Sequence, residues 1–323
     1  MPLDDGLFRQ VIEKFESAQR ILLACHLRPD GDAIGSLLGL GLALHSREKQ
    51  VQMISEDGVP PSCRHLDGIA EIRRQAEGEF DLVCLVDCSD LERVGSVLVN
   101  HGPVDINLDH HPTNLNFADL NLVDVQAVAT AEIIADLLSI WGLTITPTIA
   151  EALLTGLVTD TIGFRTSNVK PSTLRMAADL MEWGADIATI YRRALVDRSY
   201  EAMRLWGAGL SRLERNGRLL WTTLTLDDRK TSRYPGRDDA DLINILSTVQ
   251  DADITIIFVE QPNGRVKISW RAQPGFDVSK IAVRLGGGGH TAAAGAEIQG
   301  SLQEVQATIL EMTRSLLNGG QHV

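Results

Sequence analysis

Short apolar runs alternate with stretches of helical periodicity along the first half of the chain. The runs have a length typical of strands and lie at residues 21–25, 51–54, 81–86 and 104–108. Apolar residues recur at helical spacing in residues 149–158 and 174–183, and the second stretch ends at Gly184. Alternating strands and helices predict a mostly parallel sheet with helices on both faces. In such a sheet, ligands gather at the carboxyl ends of the strands.

A helical stretch at residues 188–215 leads into a second group of elements. These are strands at residues 218–226, 254–260 and 265–271, a polar loop at 227–237, and helices at 241–249 and 278–285. A length of 323 residues also suggests two domains. We therefore predict an α/β domain with the parallel sheet at residues 1–190, a helical linker at 191–216 and a smaller α/β domain at 217–323.

Composition and charge restrict the class of protein and of partner. The chain is 44% hydrophobic and 23% charged, as in ordinary globular proteins. No apolar run approaches the ~18 residues of a membrane span, and the acidic N-terminal stretch is unlike a signal peptide. These features predict a cytoplasmic protein. The net charge of −13 disfavours a long duplex as partner, although bound metal ions could still attract a small anionic substrate.

A cluster of candidate metal ligands follows the first apolar run. This run leads directly into His26, Asp30 and Asp32, and the intervening Pro29 and Gly31 favour a tight loop. Asp32 is then predicted to open a helix at residues 33–44. A turn with an Asp as helix N-cap would explain this segment without any ligand.

Three more segments place acidic or imidazole side chains at the ends of elements. Asp87 follows the run at 81–86, Asp109-His110-His111 ends the run at 104–108, and Asp160 closes the helix at 149–158. Each has an ordinary alternative: a capped turn, structural histidines and a solvated surface carboxylate. A carboxylate at a helix C-terminus is unfavourable by up to about 1 kcal/mol, which a bound cation would offset.

Together the four segments predict a divalent metal site at one edge of the sheet. Carboxylate oxygens with imidazole suit Mn²⁺ best, with Mg²⁺ or Co²⁺ as substitutes. Two such ions about 3.5–4 Å apart would suit an in-line phosphoryl displacement.

These segments resemble the four motifs of the DHH phosphoesterase superfamily, and the glycine-rich residues 286–290 resemble the signature of its DHH-associated C-terminal domain. The resemblance implies the following roles: one Mn²⁺ held by His26 and Asp30, a second held by Asp32, His110 and Asp160, Asp87 bridging both, Asp109 orienting the ligands, and His111 facing the substrate phosphate or leaving group. It thus implies a catalytic set of Asp87, Asp109 and His111.

The second domain carries candidate substrate contacts. On the strand at 265–271, apolar residues alternate with Lys267, Ser269 and Arg271, although a solvated sheet face would have the same pattern. The glycine run allows close backbone approach to phosphate, or a flexible helix C-cap. The resemblance implies substrate contacts from Ser269, Arg271, Gly288, Gly289 and His290, with Arg165 as a further candidate.

The two-domain layout is most similar to the stand-alone nano-RNase/pAp phosphatase type of this superfamily. We therefore expect a Mn²⁺-dependent phosphodiesterase and phosphatase that acts on short single-stranded oligonucleotides and pAp-like nucleotides. No membrane partner is expected, and a homodimer is left open. Two alternatives remain: a cytosolic hydrolase of linear or cyclic dinucleotides, and a non-catalytic nucleotide-binding regulator on the same scaffold. The intact ligand set argues against the regulator.

Overall fold

The computed structural model describes residues 5–319. Contacts within the chain divide it into two compact units, residues 1–197 and residues 198–323.

The first unit is an α/β unit. Its strands β1 to β6 lie at Arg20–Cys25, Gln50–Ile54, Ile72–Arg73, Leu82–Val86, Ile106–Asp109 and Leu120–Val123. Its helices α1 to α6 lie at Asp5–Ser17, Gly31–His45, Thr130–Trp141, Pro147–Asp160, Pro171–Glu182 and Ile187–Ile190. The alternation of strands and helices agrees with the fold class that we expect from the sequence.

The six strands form one sheet in the order β3-β2-β1-β4-β5-β6, and all of its pairs are parallel. The predicted parallel sheet is therefore confirmed. Strand order reverses at β1, which pairs with β2 on one side and with β4 on the other. The carboxyl ends of β1 and β4 flank this switch point, where open α/β sheets bind their ligands.

Helices cover one face of this sheet. Ile21, Leu23 and Cys25 of β1 belong to the same buried cluster as the apolar residues of α1 to α5. The alternate residues Leu22 and Ala24 face a smaller cluster supplied by loops and by a 3₁₀ helix at Leu91–Val94. We expected helices on both faces. The connection from β4 to β5 instead contains only this short helix, because turn-forming residues interrupt the rest of the connection.

Helices α2 and α4 approach closely through glycines. Gly31, Gly35 and Gly39 recur every fourth residue on α2, so they share one side of the helix. A Cβ at Gly35 would lie 2.3 Å from the carbonyl oxygen of Ala152, and one at Gly156 would lie 2.7 Å from Oδ1 of Asp32. The lack of side chains at these positions therefore brings the start of α2 against the backbone of α4.

The second unit contains a mixed sheet. Its strands β7 to β12 lie at Glu214–Asn216, Leu219–Leu224, Ile254–Glu260, Arg265–Ala272, Gly288–His290 and Ala293–Gln299. Its helices α7 to α11 lie at Tyr200–Ser211, Leu226–Ser232, Leu242–Leu246, Ser279–Arg284 and Leu302–Gly319. The strand order is β11-β12-β10-β9-β8-β7, with β8 and β9 parallel and the other pairs antiparallel.

Three segments of the second half differ from expectation. The segment predicted as a polar loop contains α8, which begins with a capping box between Thr225 and Asp228. Part of the glycine run forms β11, a strand that we did not predict. Residues 191–216, predicted as a helical linker, divide between the units: a π-helix at Tyr191–Val196 lies in the first and α7 lies in the second.

Among residues 5–319, no helix has both the length and the apolar character needed to cross a bilayer.

Candidate metal centre

His26 and Asp30 lie in the loop between β1 and α2. His26 is buried, and its Nδ1 lies 2.8 Å from the carbonyl oxygen of Leu27. Its Nε2 lies 3.4 Å from Oδ2 of Asp87. Asp30 is exposed, and its Oδ1 accepts hydrogen bonds from the N–H groups of Asp32 and Ala33, both 3.0 Å away. Asp30 is therefore the N-cap of α2, a position that the sequence analysis gave to Asp32.

Asp32 is buried in the first turn of α2 and is held by the start of α3. Its Oδ2 accepts from the N–H of Thr130 at 2.7 Å, and its Oδ1 accepts from the N–H of Ala131 at 3.0 Å. The hydroxyl of Ser36 also donates to Oδ1, at 3.2 Å. The N–H groups of Thr130 and Ala131 are available as donors because the first N–H groups of a helix have no partner within the helix.

Crowding of carboxylates shapes the electrostatics at Asp32. Burial raises the pKa of its carboxyl well above the ordinary value, and the charges of Asp87, Asp160 and Asp30 raise it further. A cation among these groups would lower the pKa again, because it favours the charged form of each carboxyl.

Asp87 follows β4 directly and adopts an unusual backbone conformation. Its φ is +57°, in the left-handed region, and its N–H donates to the carbonyl oxygen of Leu108 at 2.9 Å. Burial acts to raise the pKa of its carboxyl. A hydrogen bond from His26 and the charges of His111, His26 and His110 outweigh burial and hold this pKa well below its ordinary value.

The two histidines after β5 both lie near Oδ1 of Asp87, at 3.7 Å for Nε2 of His110 and 3.6 Å for Nδ1 of His111, but their other neighbours differ. Nε2 of His110 lies 3.8 Å from Asp32 Oδ2, 3.7 Å from Asp87 Oδ1 and 3.6 Å from Asp160 Oδ2. Nδ1 of His111 lies 2.7 Å from Oδ1 of Asp109. His110 thus lies among the carboxylates of three different elements, whereas the carboxylate of Asp109 orients His111.

Five of the six predicted metal ligands lie close enough together to hold metal ions, and the sixth, Asp160, approaches His110 as described above. Three sets have ligand atoms that all lie within 4.8 Å of one another: His26 with Asp30 and Asp87, Asp32 with Asp87 and His110, and Asp87 with Asp109 and His111. Asp87 belongs to all three sets. Carboxylates combined with imidazoles are a donor set that fits Mn²⁺ or Mg²⁺. The residues present therefore fit divalent ions.

Two residues of this centre were missed from the sequence. The hydroxyl of Thr130 donates to Oδ1 of Asp87 at 2.9 Å. Nδ2 of Asn114 donates to Oδ2 of Asp109 at 2.5 Å and to the carbonyl oxygen of Cys88 at 3.2 Å. Thr130 lies in an apolar stretch at the start of a helix, so the sequence has no signal that connects it with the strand ends.

In the second unit, Ser269 and Arg271 of β10 lie on the same face of the sheet as Gly288 and His290 of β11. Gly295 of β12 pairs with both Ser269 and Gly288. Ala293 of β12 likewise pairs with both Arg271 and His290. Because paired residues share a face, the four predicted residues lie on either side of Gly295 and Ala293, which leave little side-chain bulk between them.

The remaining predicted substrate contacts differ from these four. Gly289 pairs with the buried Ala294 and therefore lies on the other face, with φ of +134°. A Cβ at Gly289 would lie 2.4 Å from the carbonyl oxygen of Ala293, so the strand pairing requires glycine here. Arg165 is an exposed residue of the first unit, in the turn that follows α4.

Comparisons with known proteins agree with this architecture. Residues 20–157 match the model of the DHH family, N-terminal domain, and residues 234–318 match the DHHA1 domain. The chain is 35% identical to the bifunctional oligoribonuclease and PAP phosphatase NrnA of Thermus thermophilus, over 92% of this chain and 90% of that protein. It is 28% identical to the protein of the same name from Mycoplasma genitalium, over 92% and 94% of the two chains.

A solved structure is similar over nearly the whole chain. The exopolyphosphatase-related protein from Bacteroides fragilis is 26% identical, with a TM-score of 0.85 over 98% of this chain and 99% of that one. The matched domains together with the 35% identical relative show that this chain belongs to the DHH family.

Proposed function

We propose that this protein is a divalent-metal-dependent phosphoesterase that hydrolyses short oligoribonucleotides and pAp. The observation that carries the proposal is the position of Asp87, a buried carboxylate common to three sets of ligands at the switch point of the sheet. Relatives named for oligoribonuclease and PAP phosphatase activity support the choice of substrate. A cytoplasmic location stays a prediction from the sequence, and a homodimer stays an open alternative.

Two ions of Mn²⁺ are the proposed cofactors, with Mg²⁺ or Co²⁺ as substitutes. In this proposal His26 and Asp30 would hold one ion, and Asp32, His110 and Asp160 would hold the other. Asp87 would be shared by both ions, since its Oδ2 lies near His26 and its Oδ1 lies near His110. When bound, such ions supply Lewis acidity and a water of lowered pKa.

His111 is proposed to donate a proton or hydrogen bond to the substrate. Asp109 accepts from Nδ1 of His111 and is itself fixed by Asn114. This contact favours a proton on Nδ1, so the imidazolium form, which carries a second proton on Nε2, is the form that would donate to the reacting phosphate or leaving oxygen.

The second unit is proposed to bind substrate phosphates. Arg271 offers a planar fork of donors that a lysine cannot copy. Nε of Arg271 donates to Oδ1 of Asn244 at 3.2 Å, a contact that orients the guanidinium. The proposed contacts are Ser269, Arg271, Gly288, Gly289 and His290, with Arg165 from the first unit.

Asp87→Ala tests the metal centre. We expect the wild-type protein to bind two Mn²⁺, to lose turnover in EDTA and to regain it when Mn²⁺ is restored. The variant should lose more than about 100-fold in activity, since both proposed ions lose a ligand. Metal content and turnover of pAp, of RNA dinucleotides to ten-mers and of cyclic dinucleotides are the measurements. Near wild-type turnover by a folded variant would contradict the two-ion site.

The same panel separates the alternatives. Turnover restricted to linear or cyclic dinucleotides would favour the dinucleotide hydrolase. Nucleotide binding without hydrolysis in the presence of Mn²⁺ would favour the regulator and contradict the proposed enzyme.

A further inference from the structure

Thr130 contacts two of the proposed metal ligands at once. Its backbone N–H donates to Oδ2 of Asp32 at 2.7 Å, and its hydroxyl donates to Oδ1 of Asp87 at 2.9 Å. Asp32 lies 98 positions before Thr130 in the chain and Asp87 lies 43 positions before it. One residue at the start of α3 therefore joins a carboxylate in the first turn of α2 to the carboxylate that follows β4.

The hydroxyl contact fixes the orientation of the carboxylate of Asp87. With Oδ1 bound to Thr130, Oδ2 lies 3.4 Å from Nε2 of His26. Oδ1, the oxygen that accepts from Thr130, lies 3.7 Å from Nε2 of His110. A carboxylate that bridges two ions must direct one oxygen to each side, and rotation about its terminal torsion would misplace both.

Water cannot readily take the place of this hydroxyl. Thr130 has no exposed surface, and the side chain of Asp87 is also buried. A variant without the hydroxyl leaves Oδ1 of Asp87 with one donor fewer in a region closed to solvent. Because solvent cannot replace this lost hydrogen bond, we expect the variant to bind metal more weakly.

We infer that Thr130 is a positioning residue for metal binding: its hydroxyl sets the bridging carboxylate of Asp87 while its N–H holds Asp32. This inference rests on the proposed metal function of these two residues. In this role Thr130 acts only through Asp87 and Asp32, and we propose no direct contact of Thr130 with an ion or with the substrate.

The test compares Mn²⁺ binding by metal-free wild-type protein, Thr130→Val and Thr130→Ser, measured by calorimetric titration. Valine keeps the volume and removes the hydroxyl, whereas serine keeps the hydroxyl. We expect Thr130→Val to weaken Mn²⁺ binding by about tenfold or more, the range typical of residues that orient metal ligands. Thr130→Ser should bind Mn²⁺ within a fewfold of wild type.

Thr155→Val is the matched control. Thr155 is a buried residue of α4 whose hydroxyl donates to the carbonyl oxygen of Glu151 at 2.8 Å, so this variant also loses one buried hydroxyl. It should leave Mn²⁺ affinity unchanged. Thr130→Ala removes the same hydroxyl as Thr130→Val without adding a methyl beside Asp87, and it replaces that variant if valine prevents folding.

The outcomes separate this inference from the proposed function. Wild-type affinity in Thr130→Val, or an equal loss in Thr130→Ser or Thr155→Val, would overturn the positioning role while the metal site itself stands. Failure of the wild-type protein to bind Mn²⁺ would instead contradict the proposed function.

Discussion

The contact between His111 and Asp109 distinguishes His111 from its neighbour His110. His110 lies among three carboxylates, but His111 is turned toward Asp109, which Asn114 holds from the other side. An imidazole held through Nδ1 keeps the orientation of its other nitrogen. The adjacent histidines are therefore proposed to have different functions, one in metal binding and the other in proton transfer.

His111→Ala should separate these functions. We expect kcat to fall by about 100-fold or more, the usual contribution of a positioned acid or base, while two Mn²⁺ remain bound. Turnover at saturating Mn²⁺ and metal content are the two measurements. His101→Ala is the control, since it removes an imidazole that contacts Phe80, with ring centroids 5.3 Å apart. Loss of a full ion from His111→Ala would show that its proposed role is wrong.

Much of the centre could be predicted at the scale of residues, and the reason is chemical. Aspartate and histidine at strand ends are detectable in a sequence because carboxylates and imidazoles bind metals. Thr130 and Asn114 act only through other side chains, and threonine and asparagine occur at many helix starts and turns. Their contacts depend on the tertiary packing of residues distant in the chain, which no local pattern indicates.

At the scale of elements, the glycines of α2 determine how close α4 can come. Gly35 lies against backbone, which cannot move aside as the end of a side chain could. Gly207, within α7, has open space at the same position. The two positions therefore predict opposite effects of adding one methyl group.

Gly35→Ala should lower the free energy of unfolding by about 1–3 kcal/mol, the usual cost of overpacking. Gly207→Ala should raise it by about 0.5–1 kcal/mol, because alanine is the better helix former and meets no obstacle. Urea unfolding followed by circular dichroism would measure both. Stabilisation by Gly35→Ala would mean that α2 and α4 do not pack as closely as described.

The elements themselves were predictable where periodicity was strong. Strands β1, β2, β4 and β5 and helix α4 follow directly from apolar runs and helical spacing, whereas the short strands β3 and β6 at the edges of the sheet were not predicted. Helix α8 was missed because its sequence, LDDRKTS, has little apolar periodicity, and the capping box at Thr225 stabilises its start. Strand β11 was missed because glycines have no side chains to form a pattern, and the pairing with β12 determines its conformation.

At the scale of the whole molecule, the net charge of −13 bears on substrate length. Binding of a long single strand generally requires an extended basic groove. The donors proposed here are a finite set on β10 and β11, so binding energy should stop growing after a few nucleotides. We therefore expect dinucleotides to be preferred to thirty-mers.

Arg271→Ala and His290→Ala should raise KM for short RNA while leaving Mn²⁺ content intact. Loss of a charged hydrogen bond worth about 1.5–3 kcal/mol corresponds to a rise of about ten- to hundredfold. The rise should be smaller for a minimal chromogenic phosphodiester, which lacks the additional phosphates. Lys267→Ala, on the same face of β10, is the matched control and should change KM little. Equal losses on both substrates would exclude these residues as substrate contacts.

The donors around Asp32 also bear on how the proposed site would obtain its ions. Its carboxylate is held by two N–H groups at the start of α3 and by Ser36, whichever ion lies nearby. A ligand fixed in advance does not have to be rearranged when an ion binds, so exchange of one divalent ion for another at the proposed site would need no change of structure at Asp32. Which ion the protein carries would then follow from the supply of metals in the cell and their intrinsic order of affinity. Growth conditions, as well as sequence, would thereby set the activity of a given preparation.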